Sequence, residues 1–140
     1  MTSRSDIERM IEESYAARRQ NDPVGALQYF ADDCDFRIMG SHLLGPMAER
    51  ISTRSILVSA IADLCATWDM AGVRRTGLWI DGDTAIIRHA GPIRHRPSGQ
   101  VIDTALLDII TVTNGKITAY EQYADTQLIA HTLKTAAAAG

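Results

Sequence analysis

From Gly72 onward the chain is a series of β-branched runs cut by turn dipeptides, and this pattern limits the fold more than any other feature. The cuts fall at Asp81-Gly82, at Arg96 to Gly99 and at Asn114-Gly115. Asn-Gly is the sharpest of them, because both residues tolerate the positive φ that a two-residue hairpin turn needs. The pattern predicts four long strands arranged as a meander.

Upstream the period is helical. Ser5 followed by Glu8 reads as a capping box. Ile7, Met10, Ile11, Ser14, Tyr15 and Arg18 then recur at helical spacing, the first four as a core-facing stripe. Asn21-Asp22-Pro23 ends that helix and starts another, with Asp22 as N-cap, Pro23 at the first helical position, and an extent of Pro23 to Phe30. Ala31-Asp32-Asp33 reads as a turn, Cys34 to Met39 as a strand, and Gly40 to Ser52, with Gly45-Pro46, as a loop. A third helix from about Thr53 presents Leu57, Ala60, Ile61, Leu64, Cys65 and Trp68 on one face. Thr126 to Lys134 is amphipathic and predicts a short closing helix, and Ala136 to Gly140 a frayed tail. The chain therefore reads as one α+β domain over residues 1–135 with a flexible tail at 136–140.

At 140 residues, a domain buries roughly two-thirds of its unfolded surface, enough for a core without disulfides or a structural metal. The net charge of −3 lacks the basic footprint of a nucleic-acid partner. The start, MTSRSDIERM, has no apolar signal-peptide region. The run Ser55 to Ala62 falls far short of the ~20 residues that span a bilayer, so no membrane partner is expected. Cys34 and Cys65 have no C-x-x-C spacing and read as free thiols, with a cytoplasmic location as the default.

Pro97-Ser98-Gly99, the strand Leu107-Asp108-Ile109-Ile110-Thr111-Val112 and the turn Asn114-Gly115-Lys116-Ile117 together resemble the last hairpin of SnoaL-like polyketide cyclases. These belong to the nuclear transport factor 2-like superfamily, and steroid isomerases and limonene-epoxide hydrolases share the layout. The resemblance spans nearly the whole chain as a pattern. It implies a cone-shaped, bent antiparallel or mixed sheet wrapped by the N-terminal helices around an internal pocket. Such a fold hosts many chemistries, so function has to be argued from the site.

Asp108 is the leading candidate, since it stands among Leu106, Leu107, Ile109 and Ile110. Burial favours the neutral acid, which suits proton transfer or hydrogen-bond donation near neutral pH. By resemblance it matches the strand Asp that cyclases use as acid/base and steroid isomerases as a hydrogen-bond donor. Arg88, on the preceding strand, is the obvious partner for Asp108. Epoxide hydrolases set their active-site Arg between two carboxylates, but here those positions are Ala90 and Gln122, which disfavours that chemistry. The proton-shuttling carboxylate of steroid isomerases falls on Ile38, so that route is disfavoured as well.

His89 is a second candidate for a catalytic role, while His42 and His95 carry less weight. Alternation places only one of Arg88 and His89 inside unless the strand bulges near Gly91-Pro92. Asp35 and Arg37 fall on the face opposite Phe36 and Ile38, as solvent-side or interface charges. No histidines show ligand spacing, so neither a metal site nor a cofactor is expected. Tyr15, Ile38, Trp68, Tyr120 and Gln122 complete the candidate ligand-binding set, a largely apolar lining with few polar groups.

Three functions follow as expectations. The first is an enzyme of cyclase or isomerase type acting on a small apolar carbonyl compound. In it Asp108 transfers a proton, and Arg88 or His89 stabilises developing negative charge. It needs Asp108 to face a cavity of roughly 300 Å³ or more, with a second polar group in reach. The second is a non-catalytic binding protein, which needs only the cavity. The third is a structural domain, with the cavity filled and Asp108 locked to Arg88. A homodimer through the outer face of the sheet is expected in each case.

Overall fold

A computed structural model describes residues 1–139. Helix α1 runs Arg4–Arg19 and is capped by Ser3, whose hydroxyl accepts from the Asp6 amide. The cap thus lies two residues before the Ser5 of the expected capping box, and Ser5 is inside the helix. Ile7, Met10, Ile11 and Ser14 are buried as the period requires. Helix α2 is only Pro23–Ala26, with Asp22 capping the Gly25 amide. It stops short of the expected Phe30 because strand β1, Phe30–Ile38, begins there. Ala31-Asp32-Asp33 is therefore strand rather than turn, irregular in register between Phe30 and Asp35.

The segment Gly40 to Ser52 holds 3₁₀ turns over His42–Ala48, broken at Gly45. Helix α3 is Arg54–Thr67, with Leu57, Ile61 and Cys65 buried. Strand β2 is Trp68–Asp69 and β3 is Arg74–Asp81. Strands β4, Thr84–His95, and β5, Val101–Thr113, form the long middle of the sheet, and β6 is Lys116–Ala124. Helix α4 spans Thr126–Ala139. The expected tail is a correction as far as Ala139, since alanine has the highest helix propensity and the run simply prolongs the helix; Gly140 lies outside the described residues.

The meander β3–β4–β5–β6 is antiparallel throughout, and β1 joins the far side of β6 in parallel. The sheet is mixed and curls into a half-barrel, helped by register shifts in β1, β3 and β5 that increase local twist. Asn114 (φ 50°) and Gly115 (φ 75°) both take the positive φ expected of the tight hairpin turn. Gly91, at φ 144°, is required in β4 because a Cβ there would lie 2.4 Å from the Gly72 carbonyl oxygen. Pro92 is tolerated in this long strand because β3 stops pairing with β4 at Ala90 and β2 starts only at Arg94.

No bulge forms at Gly91-Pro92, and the pairing of β4 with β5 runs unbroken from Thr84 to Arg94. Inward and outward faces therefore alternate without interruption. Ala85, Ile87, His89, Ile93 and His95 are buried, while Arg88 is exposed. The helices cover the inner face, and the core lies between them and the sheet in two adjoining apolar clusters. Among the described residues no helix is long and apolar enough to cross a membrane.

Candidate active site

A cavity of about 110 Å³ lies between the helices and the inner face of the sheet. Its walls are mainly apolar, and Phe36, Ile38, Trp68 and Ile110 are among them. The polar and charged groups on the lining come from two places. Ser14, Tyr15, Arg18 and Arg19 are on α1, and His89, Tyr120 and Gln122 are on the sheet. No carboxylate lines it among the described residues. The volume is well below the expected 300 Å³. An engineered apolar cavity of about 150 Å³ accepts benzene, so in this form the space suits a ligand portion no larger than a small ring.

Asp108 is fully buried and stands behind the lining rather than on it. Its Oδ2 accepts from the Tyr15 hydroxyl at 2.5 Å, the Tyr120 hydroxyl at 2.8 Å and His89 Nε2 at 2.9 Å. Its Oδ1 accepts from Gln122 Nε2 at 3.0 Å. Sheet register brings this about: Asp108 sits opposite Ile87 on β4 and Gln122 on β6, with Tyr120 two residues from Gln122 on the same face. Tyr15 arrives from α1 and packs its ring against His89, centroids 5.3 Å apart. An ionised carboxylate is acceptor-only, and four donors suit its capacity. Both phenols are held well above the ordinary tyrosine pKa, first by burial and then by the charge of Asp108. They therefore stay protonated, and each spends its one proton on the carboxylate.

In the tautomer whose Nε2–H donates to the Asp108 carboxylate, the lone pair of the ring is on Nδ1. That atom has no hydrogen bond to a described residue, and His89 lines the cavity. Asp108 thus fixes the tautomer and orientation of a base that fronts the cavity, the same relation a carboxylate has to histidine in hydrolase triads.

Arg88, expected to face Asp108, is on the other side of the sheet. Its guanidinium donates to the hydroxyl and carbonyl of Thr76 and covers the Trp79 ring at 5.3 Å. The ion pair with Asp108 does not form, because residues 87 and 89 hold the inward positions of β4. Of the other histidines, His42 is exposed, and His95 is engaged by Ser98 at 2.8 Å and packs at a tilt against the Trp68 ring, centroids 4.7 Å apart. Asp35 is ion-paired with Arg50, away from the cavity, as its strand position implied. Cys34 and Cys65 are buried free thiols, with burial pushing Cys34 up to about 12. Tyr15, Ile38, Trp68, Tyr120 and Gln122 all line the cavity.

Sequence reasoning missed Ser14 and Arg18 as site residues: Ser14 lay on the predicted core-facing stripe, whereas Arg18 recurred at helical spacing but fell outside that stripe. The Ser14 hydroxyl is buried without a hydrogen-bond partner. Arg18 donates from Nη2 to the carbonyls of Leu64 (3.3 Å) and Trp68 (2.9 Å), at the C-terminal end of α3, while its Nη1 is buried with no partner. Burial lowers its pKa, yet a guanidinium starts so high that it keeps its charge.

A curled mixed sheet with helices packed on its inner face and polar groups converging on a cavity between them defines the nuclear transport factor 2-like class. The family model for the SnoaL-like domain matches residues 11–120, and the chain belongs to that family. No curated protein matches the sequence. Solved structures show the same fold. A nuclear transport factor 2-like protein of Burkholderia thailandensis is 24% identical, with a TM-score of 0.74 over 89% of this chain and 95% of its own. A protein of Catenulispora acidiphila with a ketosteroid isomerase-like fold is 16% identical, at TM-score 0.67 over 81% and 83%. An LEH-like epoxide hydrolase of M. tuberculosis is 15% identical, at TM-score 0.70 over 96% and 94%.

Proposed function

We propose that the protein is a cofactor-independent enzyme of isomerase or cyclase type, moving a proton on a small, largely apolar carbonyl compound. The observation that carries this is the pairing of His89 Nε2 with the buried Asp108, which leaves Nδ1 without a partner among the described residues on a ring that lines the cavity. In the reaction Nδ1 takes a proton from the carbon next to the carbonyl, leaving an enolate and an imidazolium paired with Asp108. The imidazolium then returns the proton at another position for isomerisation. In cyclisation the enolate carbon first bonds to a second carbonyl carbon, and the proton goes to the new alkoxide. Proton-transfer duty thus rests with His89 rather than Asp108, whose oxygens are already occupied by four donors.

The test needs no prior substrate. A panel of ketones, β-diketones and enones is incubated in D₂O with the protein, and loss of the α-proton signal is followed by NMR. Exchange above background is expected for at least one member, falling about 10²-fold or more in His89→Gln, which keeps an amide donor for Asp108 but removes the base. Exchange that survives in His89→Gln overturns the assignment.

A binding protein is the second reading, favoured by one observation: Asp108 consumes the donor capacity of both phenols. Ligand-dependent thermal stabilisation with no exchange by any compound would establish it. We also propose a homodimer through the outer sheet face, where Trp79 and Tyr123 remain 50% and 40% exposed. A monomer by light scattering at micromolar concentration removes that proposal.

A further inference from the structure

Among the described residues, Arg18 is the one cation on the lining with a buried guanidinium nitrogen that lacks a partner. Its Nη2 caps two carbonyls, whereas its Nη1 is buried and has no acceptor. Four residues earlier on the same face of α1, the Ser14 hydroxyl is also buried and unpartnered. Native interiors leave very few such groups, so two of them one helical turn apart on the wall of a cavity call for an explanation. Charge adds to this. The charged groups acting on Arg18 are Asp69 and Arg96, and these two are paired with each other at 3.7 Å. Two guanidiniums therefore share one carboxylate, and among the described residues the lining contributes no acid to neutralise the excess. The other neighbours of Arg18 are the Cys65 thiol and the Tyr120 phenol, both held in their neutral forms by burial.

We infer that Ser14 and Arg18 form an anion subsite, and that the natural ligand carries a carboxylate on an otherwise apolar body. A carboxylate matches a guanidinium edge plus a neighbouring hydroxyl in geometry and charge. It supplies the acceptor that Nη1 and the Ser14 hydroxyl both lack. The rest of the ligand then extends along apolar wall toward His89, with Phe36, Ile38 and Trp68 around it. This inference rests on the cavity being the functional site, and it specifies the substrate class for that site.

The experiment uses two matched pairs, phenylacetate against phenylacetamide and octanoate against octanamide, titrated into the ¹⁵N-labelled protein at neutral pH. In the wild type, each acid is expected to bind at least tenfold more tightly than its amide, shifting α1 and β4 amides. Arg18→Met is expected to erase the acid preference while leaving amide affinity within twofold, and Arg18→Lys to keep part of it. Circular dichroism establishes that each variant is folded, and Ser14→Ala, which alters no backbone contact, gives an independent loss of three- to tenfold for acids alone. Equal affinities for acid and amide in the wild type overturn the inference and leave the pocket assignment standing. So does an acid preference that persists in Arg18→Met, where Arg18 is then only a cap on α3. Failure of both acid and amide to shift any cavity resonance overturns the inference together with the pocket assignment.

Discussion

Asp108 and Arg18 belong to one buried neighbourhood and are treated in opposite ways. The carboxylate receives four hydrogen bonds and has no place on the cavity wall. The guanidinium lies on the wall and is left with one nitrogen unpartnered. A buried charge with every partner in place is framework, because removing it strands the groups that were built around it. A buried charge short of a partner contributes less to the fold and more to whatever supplies the missing contact. Adjacent residues on β4 show the same division by face: His89 joins the Asp108 network, and Arg88, one residue earlier, serves only Thr76 and Trp79 outside.

The sharpest way to break this comparison is at Asp108. Asp108→Asn puts an amide N–H₂ opposite groups that all donate in the present arrangement, so one or more phenols lose their acceptor or must turn to accept. The expected cost is about 3–5 kcal/mol, as for removal of one member of a buried charged network. Urea denaturation should show a lower midpoint with an unchanged slope. Should Asp108→Asn instead match the wild type, the network would not be holding the fold. Tyr15→Phe and Tyr120→Phe should each cost about 1.5–3 kcal/mol, the range for a hydrogen bond to a charged group. Because both donate to the same Oδ2, the double variant should depart from the sum, and strict additivity would mean that the two bonds are independent.

Alkaline pH probes the same network more gently. The folded-state pKa values of Tyr15 and Tyr120 lie well above the ordinary 10.0. Native protein then holds protons that the unfolded chain has released. Their contribution to stability is complete below about pH 10 and is lost as pH climbs from there toward the folded values. Each phenol should add about 1.4 kcal/mol per pH unit to the decline once the unfolded residue is ionised. Cys34, raised to about 12 from 9.0, acts in the same direction from lower pH, so the measurement is best made in Cys34→Ala. Stability from pH 9 to 11 should fall less steeply in Tyr15→Phe, and an unchanged slope would mean that this phenol is not buried against charge.

How far these roles were legible in the sequence depends on what each residue needs. Asp108 could be found because a carboxylate in an apolar strand breaks a pattern. Asn114-Gly115 could be found because its φ requirement is local. The partner of Asp108 could not be settled, because that depended on whether β4 bulges at Gly91-Pro92, and only pairing with β5 decides it. The Ala31-Asp32-Asp33 segment was misjudged for a related reason: β1 is held as a strand by β6, over 80 residues later. Arg18 had no local signature at all. An arginine near a helix C-terminus is ordinary, and only α3, arriving with its carbonyls, makes this one buried and one partner short.

The smallest expected effect is at Arg18, and it sharpens the comparison most. Arg18→Met keeps much of the side-chain length and its packing against the cavity wall while removing the charge. The loss is two hydrogen bonds to α3. Of their acceptors, the Leu64 carbonyl retains the Trp68 amide as donor, so only the Trp68 carbonyl forfeits its contact with the guanidinium. Against that, the variant no longer desolvates a cation lacking a counter-ion, and hydrophobic replacement of poorly compensated buried charge is often neutral or stabilising. These contributions oppose one another, and the net change should stay within about 1 kcal/mol in either direction. Thermal denaturation of Arg18→Met beside Asp108→Asn measures the asymmetry directly. If Arg18→Met is instead as costly as Asp108→Asn, the guanidinium is framework too, and the unpartnered nitrogen would have to be read as the cost of an indispensable cap on α3.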